Sequence, residues 1–309
     1  MNAFPKIVFL GTPDFAVASL RALVEHDFAV VAVVTAPDKP AGRGLKLSES
    51  AVKQYAVQHK IPVLQPEKLK DTIFIELLKS FQPDIQVVVA FRMLPEVVWS
   101  LPPMGTINLH GSLLPQYRGA APINRAIMNG EKKTGVTTFK LKQEIDTGDI
   151  LMMEEISIGE EETAGELHDI MKETGAGLVV KTILGLAQGT LREKPQVIID
   201  SDSVKTAPKI FTEDCRINWS DPVQKIYNQI RGLSPYPGAF TSFNVKTMKI
   251  FRARLENNGP DGIAGVMETD GRTWLRFPAA DGYIYVDELQ LEGKKRMSTV
   301  DFLRGYRSS

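Results

Sequence analysis

KIVFLGTPDFA, residues 6–16, is the stretch on which the fold turns. Ile7, Val8, Phe9 and Leu10 are apolar at successive positions, so a strand here is buried on both faces. Gly11 and Pro13 then interrupt it. Phe15, Val17, Ala18, Leu20, Ala22 and Leu23 follow at helical spacing. The alternation repeats. FAVVAVV (28–34) and DIQVVVAF (84–91) are further β-branched runs, and Ile73, Ile75, Leu77 and Leu78 suit a helix between them. Strands apolar on both faces, alternating with helices, predict an α/β fold with a doubly wound, mostly parallel, Rossmann-like sheet.

The turn GTPDF lies where open α/β sheets bind ligands. It is not GxGxxG, and the missing glycines argue against a dinucleotide, hence against NAD. A structural turn and a ligand loop both remain open for it.

Farther along, residues 107–110 read as a strand, 122–129 as a helix, 135–141 and 150–153 as strands, and 163–188 as one long amphipathic helix. After residue 189 the texture changes to GTLREKPQVIIDSDSVKTAPKIF, which is polar and extended. From 236 come short alternating runs, YPGAFTSFNV, MKIFRARLE, TWLRF and GYIYVDELQL, separated by Asn, Asp and Gly turn signals. These predict a small antiparallel β-barrel of five strands, OB-like. The expected organisation is a catalytic domain at 1–189, a linker at 190–209 and a second domain at 210–309.

Composition narrows the class. The 309 residues are 43% hydrophobic and 24% charged, an ordinary globular balance. The single cysteine, Cys215, forms no internal disulfide, which fits a reducing compartment. No Cys/His cluster suggests a metal. The short apolar run at the N-terminus is no signal peptide, and no stretch reaches membrane-spanning length. A cytoplasmic monomer without membrane attachment is expected. Formal net charge is zero, so bulk electrostatics favour no nucleic acid, although a local basic patch can still dock phosphates.

INLHGSLLPQYRGAAPI (107–123) carries the chemistry. Asn108 and His110 are two apart on a strand, so both side chains share a face. A carboxamide donates N–H bonds to a developing oxyanion without changing charge. An imidazole takes and returns a proton near neutral pH. The pair suits transfer at a carbonyl. Asp146 in QEIDTGDI is the candidate to orient His110, with Asp149 as competitor. Taken singly, each feature also reads as ordinary structure: a hydrogen-bonded strand-end His, a tight Asp-Thr-Gly-Asp turn, a loop opening a helix.

Six segments resemble methionyl-tRNA formyltransferases: FLGTPDFA (9–16), APDKPAGRGLKL (36–47), INLHGSLLPQYRGAAPI (107–123), TGVTTFKLKQEIDTGDIL (134–151), APKI (207–210) and GKKRMSTVDFL (293–303). The resemblance implies formyl transfer from 10-formyltetrahydrofolate, as co-substrate, to the α-amino group of methionine on initiator tRNA, in translation initiation. It places the three catalytic positions on Asn108, His110 and Asp146, and folate contacts on Ser112, Leu113, Leu114 and Pro115. No metal and no nicotinamide are implied. It assigns tRNA binding to the loop with Lys39, Arg43 and Lys46, whose cations suit phosphates near an acceptor end. Lys246, Lys249, Arg252 and Arg254 offer a second basic surface. In FRMLP (91–95), Arg92 stands where the family pattern has a Gly beside the pterin pocket. The rival reading is a folate-dependent formyltransferase acting on a small amine, a nucleotide sugar or glycinamide ribonucleotide. The basic loop and the C-terminal domain speak against it.

Overall fold

The structure, a computed structural model, describes residues 4–41, 46–197 and 203–305; Arg43 lies outside them. The chain forms two compact units. The first holds residues 1–118, 135–156 and 169–206. Its core is a sheet of seven strands.

The elements run β1 (Ile7–Gly11), α1 (Asp14–Glu25), β2 (Val30–Val34), β3 (Lys39–Ala41), β4 (Lys46–Ser48), α2 (Ala51–Gln58), β5 (Val63–Leu64), α3 (Thr72–Ser80), β6 (Ile85–Val89), α4 (Glu96–Trp99) and β7 (Thr106–His110). The short β8 (Arg118–Gly119) and the helix α5 (Pro122–Met128) precede β9 (Lys133–Lys140), β10 (Ile150–Ser157) and the long α6 (Ala164–Ala187). β1, β2, β5, β6 and β7 run parallel to one another. β9 runs antiparallel to β7. The strand order is β10-β9-β7-β6-β1-β2-β5, and it reverses between β1 and β6, as the double winding of the sequence predicted. β1 and β6 are buried at every position, the consequence of apolar runs with no polar face.

Gly11 ends β1 because the turn is crowded. A Cβ there would sit 2.7 Å from the Ala16 Cβ and 3.1 Å from the Val89 carbonyl oxygen. The helix expected from Ile73, Ile75, Leu77 and Leu78 forms, but it buries a different stripe. Phe74, Ile75 and Leu78 face the core, while Ile73 is 80% exposed and Leu77 is exposed. Positions 74, 75 and 78 share one helical face, and 73 and 77 fall beside it.

The second unit holds residues 119–134, 157–168 and 207–309. After the short β11 (Thr206–Ala207) come α7 (Val223–Gly232), β12 (Ala239–Phe243), β13 (Lys246–Glu256), β14 (Glu268–Thr269), β15 (Leu275–Pro278), β16 (Tyr283–Leu291), β17 (Met297–Ser298) and α8 (Thr299–Gly305). β12 to β17 make one antiparallel sheet of six strands in place of the five expected. The surplus lies in two-residue strands, too short to show an alternating pattern. α5 packs within this unit: the Asn124 Nδ2 donates to the Gly232 carbonyl at 2.7 Å, and Arg125 pairs with Asp214 at 3.2 Å. The core gathers Trp219, stacked on Phe277 with ring centroids 4.6 Å apart, around Ile226, Ile250, Ile284 and Leu289.

α6 begins in a reciprocal cap. The Thr163 Oγ1 accepts from the Glu166 backbone N–H, and the Glu166 carboxylate accepts from the Thr163 N–H at 2.9 Å. These bonds, with Arg252 as a further partner, hold the Glu166 carboxyl below its ordinary pKa.

Candidate active site

β7 reaches the carboxyl ends of the parallel strands carrying its two polar side chains on one face. Asn108 is half-buried, and its carboxamide finds no hydrogen-bond partner among the described residues. An amide held by a sheet strand and left unpaired is ready to donate to a ligand. His110 is buried. Its Nε2 lies 2.9 Å from the Tyr117 carbonyl oxygen, an acceptor only, so Nε2 carries the proton and donates it. Its Nδ1 lies 3.7 Å from the Asp146 Oδ2. That is too long for a hydrogen bond, and it becomes an ion pair only when the ring is protonated. The imidazole therefore sits between a carbonyl that fixes its tautomer and a carboxylate that faces its other nitrogen. Asp149, the competing carboxylate, turns to Lys142 at 2.8 Å.

The Asp146 turn is built by close approach. A Cβ on Gly148 would lie 1.6 Å from the Lys140 carbonyl oxygen, so only glycine lets the turn lie against β9. Asp146 has φ +54 and Tyr117 has φ +58. Left-handed backbone is unusual for an aspartate and rarer for a bulky aromatic. Both residues that address His110 are held in it, a concentration of strain typical of working sites. Tyr117 is clamped by its own N–H, which donates to the Lys205 carbonyl at 2.6 Å, and by Gln116, whose side chain bonds Ser203 and Lys205.

The loop after β7 is tied down by one hydroxyl. Thr137 of β9, directly across from His110 in the register, donates to the Ser112 carbonyl at 2.6 Å and accepts from the Leu114 N–H at 3.2 Å. The Ser112 hydroxyl donates to the Gln116 carbonyl at 2.6 Å. Ser112 and Leu114 are buried, while Leu113 and Pro115 are partly open. In this geometry the two open side chains offer direct contact, and Ser112 and Leu114 shape the loop. Thr137 and the Tyr117 carbonyl escaped the sequence reading: a Thr in a β-branched run and a backbone oxygen carry no distinguishing pattern.

The basic loop is a ribbon at its base. β3 and β4 pair antiparallel, Lys39 opposite Ser48 and Ala41 opposite Lys46. Lys39 is exposed. Below the ribbon, Asp38 is bonded by Lys53 and by Gln65, which also donates to the Ala36 carbonyl at 2.8 Å. Those bonds keep the Asp38 carboxyl below its usual pKa. Arg92 turns aside from β6: its guanidinium donates to the carbonyls of Pro66 and Glu67. A cavity of about 1010 Å³ adjoins it, lined by Lys68, Lys70, Arg92, Met93 and Ser100. In the second unit, Arg252 and Arg254 are exposed but paired, with Glu166 and with Asp287. A bulge at Arg252 interrupts the alternation that would have made a simple stripe.

Residues 5–183 match the formyl transferase family, and residues 209–307 match the formyl transferase C-terminal domain. The methionyl-tRNA formyltransferase of Bacteroides fragilis is 48% identical over 307 residues, covering 97% of this chain and 95% of that one. The chain belongs to the methionyl-tRNA formyltransferase family. The Parabacteroides distasonis enzyme of the same name is 50% identical, covering 98% of this chain and 96% of its own length. Among solved structures, a sugar 3N-formyl transferase crystallised with dTDP and 5-N-formyl-THF superposes with TM-score 0.67 at 21% identity, covering 94% of this chain and 99% of its own. The methionyl-tRNA formyltransferase of Clostridium thermocellum superposes with TM-score 0.56 at 18% identity, covering 82% and 94%. At such identities these two show the fold. Family membership makes the chain a one-carbon transferase with a folate-derived donor. No helix among the described residues is long and apolar enough to cross a membrane.

Proposed function

We propose that this chain transfers the formyl group of 10-formyltetrahydrofolate to the α-amino group of methionine on initiator tRNA, with Asn108, His110 and Asp146 as its catalytic side chains. The observation that carries the site assignment is the unpaired carboxamide of Asn108 on the same strand face as the buried, tautomer-fixed imidazole of His110.

The acceptor amine must be neutral to attack; free α-amino groups titrate near ~7.7–8.0. Its lone pair adds to the formyl carbon, and the carbonyl oxygen becomes an oxyanion. The Asn108 Nδ2–H donates to that oxygen. With Nε2–H held by the Tyr117 carbonyl, Nδ1 holds the lone pair and collects the proton released by the amine. The imidazolium then lies between the Tyr117 carbonyl and the Asp146 carboxylate, both favourable to positive charge. Collapse of the tetrahedral intermediate expels N10 of the folate, and His110 returns the proton to it. Ser112 to Pro115 form the folate-side wall. Lys39, Arg43 and Lys46, the cations of the basic segment 39–46, meet tRNA phosphates.

The test is a transfer assay with charged initiator tRNA and 10-formyltetrahydrofolate. Formyl-methionine product with wild type, lost in His110→Ala while tRNA binding persists, supports the reading. Arg43→Ala should weaken use of tRNA and leave the chemistry of bound substrate intact. Wild-type enzyme that formylates a dTDP-amino sugar and not methionyl-tRNA would overturn the substrate. Near-normal turnover by Asn108→Ala would overturn the oxyanion assignment.

A further inference from the structure

The Asp146 carboxylate faces His110 Nδ1 at 3.7 Å, and where it can sit depends on the turn that carries it. The backbone of that turn is gripped from outside the loop. The Gln196 Nε2 donates to the Asp146 carbonyl at 2.8 Å and to the Gly148 carbonyl at 2.8 Å. Its Oε1 accepts from the Arg118 guanidinium, at 2.6 Å from Nη2 and 3.2 Å from Nε. Both amide hydrogens and both oxygen lone pairs are thereby used, and the guanidinium, which only donates, fixes which way the amide faces. Gln196 is half-buried. Its own backbone is anchored two residues earlier, where Lys194 and Ile150 exchange N–H···O bonds of 2.9 and 2.8 Å. Arg118 follows Tyr117, the residue that bonds the other nitrogen of His110.

We infer that Gln196 is a positioning residue for catalysis: it ties the Asp146 turn to Arg118, so that the two groups flanking the His110 imidazole, the Asp146 carboxylate and the Tyr117 carbonyl, are held in fixed relation. The inference rests on the catalytic roles proposed above for His110 and Asp146. A side-chain amide suits the task, because it donates to two carbonyls on one edge and accepts from a cation on the other. A carboxylate of the same shape keeps the Arg118 half and turns the other half from attraction to repulsion.

The experiment compares wild type, Gln196→Ala and Gln196→Glu in formyl transfer to methionyl-tRNA, with melting temperatures alongside. Both variants should lose roughly 10- to 100-fold in kcat, the scale expected when a reacting group is displaced by about an ångström. KM for the folate donor and for tRNA should stay within about twofold, and Gln196→Glu should melt with the wild type. A residue that merely fills space would be rescued by the isosteric Glu. The decisive arm adds Gln196→Glu to Asp146→Asn. If Gln196 acts through Asp146, the double variant should be no slower than Asp146→Asn alone. Additive losses, or wild-type kcat in Gln196→Glu, would overturn the inference. Wild-type protein inactive toward methionyl-tRNA would instead overturn the functional reading on which it rests.

Discussion

β7 and the turn at 144–149 bring their catalytic candidates to one imidazole by opposite means. β7 is locked between β6 and β9, with Asn108 paired in register to Val88 and Phe139. Beneath it, Leu109 fits against α6, where a Cβ on Gly175 would come 2.7 Å from the Leu109 Cδ2. The turn has no ladder of its own. Asp146 sits in left-handed backbone, Gly148 presses on the Lys140 carbonyl, and Gln196 holds the turn from without. A strand fixes a side chain through many bonds shared with its neighbours. A turn depends on a few, so single substitutions there should displace chemistry without unfolding the sheet.

His110→Ala is the largest expected loss, up to about 10⁴-fold in kcat, measured in single-turnover formyl transfer. Retained transfer would break the claim that both regions serve one ring. Asn108→Ala comes next, with a loss of about 100- to 1000-fold and tRNA binding intact. Gly148→Ala sharpens the contrast. The new Cβ cannot coexist with the Lys140 carbonyl, so the turn must move; about 100-fold in kcat should be lost. The expected melting change is small, and a wholesale collapse of stability would show that turn and sheet are not separable.

Thr137→Val removes the hydroxyl shared by Ser112 and Leu114. With both of its hydrogen bonds lost, KM for the folate donor should rise by about tenfold, with little change in kcat at saturation. The smallest effect concerns pH. Glu166 and Asp214 both have depressed carboxyl pKa values, from backbone N–H bonds supported by arginine. A folded pKa below the unfolded one gives stability that is present above about pH 4 and is lost as pH falls toward the folded value. Thermal melts between pH 6 and 3 should show the midpoint dropping below about pH 4, and slightly less steeply in Glu166→Gln. The partial exposure of Glu166 keeps the difference small.

The strands were the most legible part of the molecule. Residues 6–10, 28–34, 84–91 and 107–110 are apolar runs that have no other stable use than a buried parallel sheet, and each became a strand. Less legible was what depends on two-residue elements or on packing. β14 and β17 carry no pattern, and α3 buries Phe74 where Ile73 and Leu77 were expected. Of the site, the spacing of Asn108 and His110 stood in the sequence because strand periodicity acts over two residues. Thr137 and Gln196 did not, because each works through backbone atoms of distant segments.

The sequence by itself determined the alternating α/β order, the shared strand face of Asn108 and His110, and the change to antiparallel texture after residue 236. These are local consequences of side-chain period and backbone preference. Only the tertiary structure decided which carboxylate faces His110, which nitrogen of the ring is engaged by a carbonyl, and that Gln196 reaches Asp146 across fifty residues of chain. The physical reason is that hydrogen bonds to backbone carbonyls can be made by many side chains to any residue, so the folded path of the chain alone selects the pair.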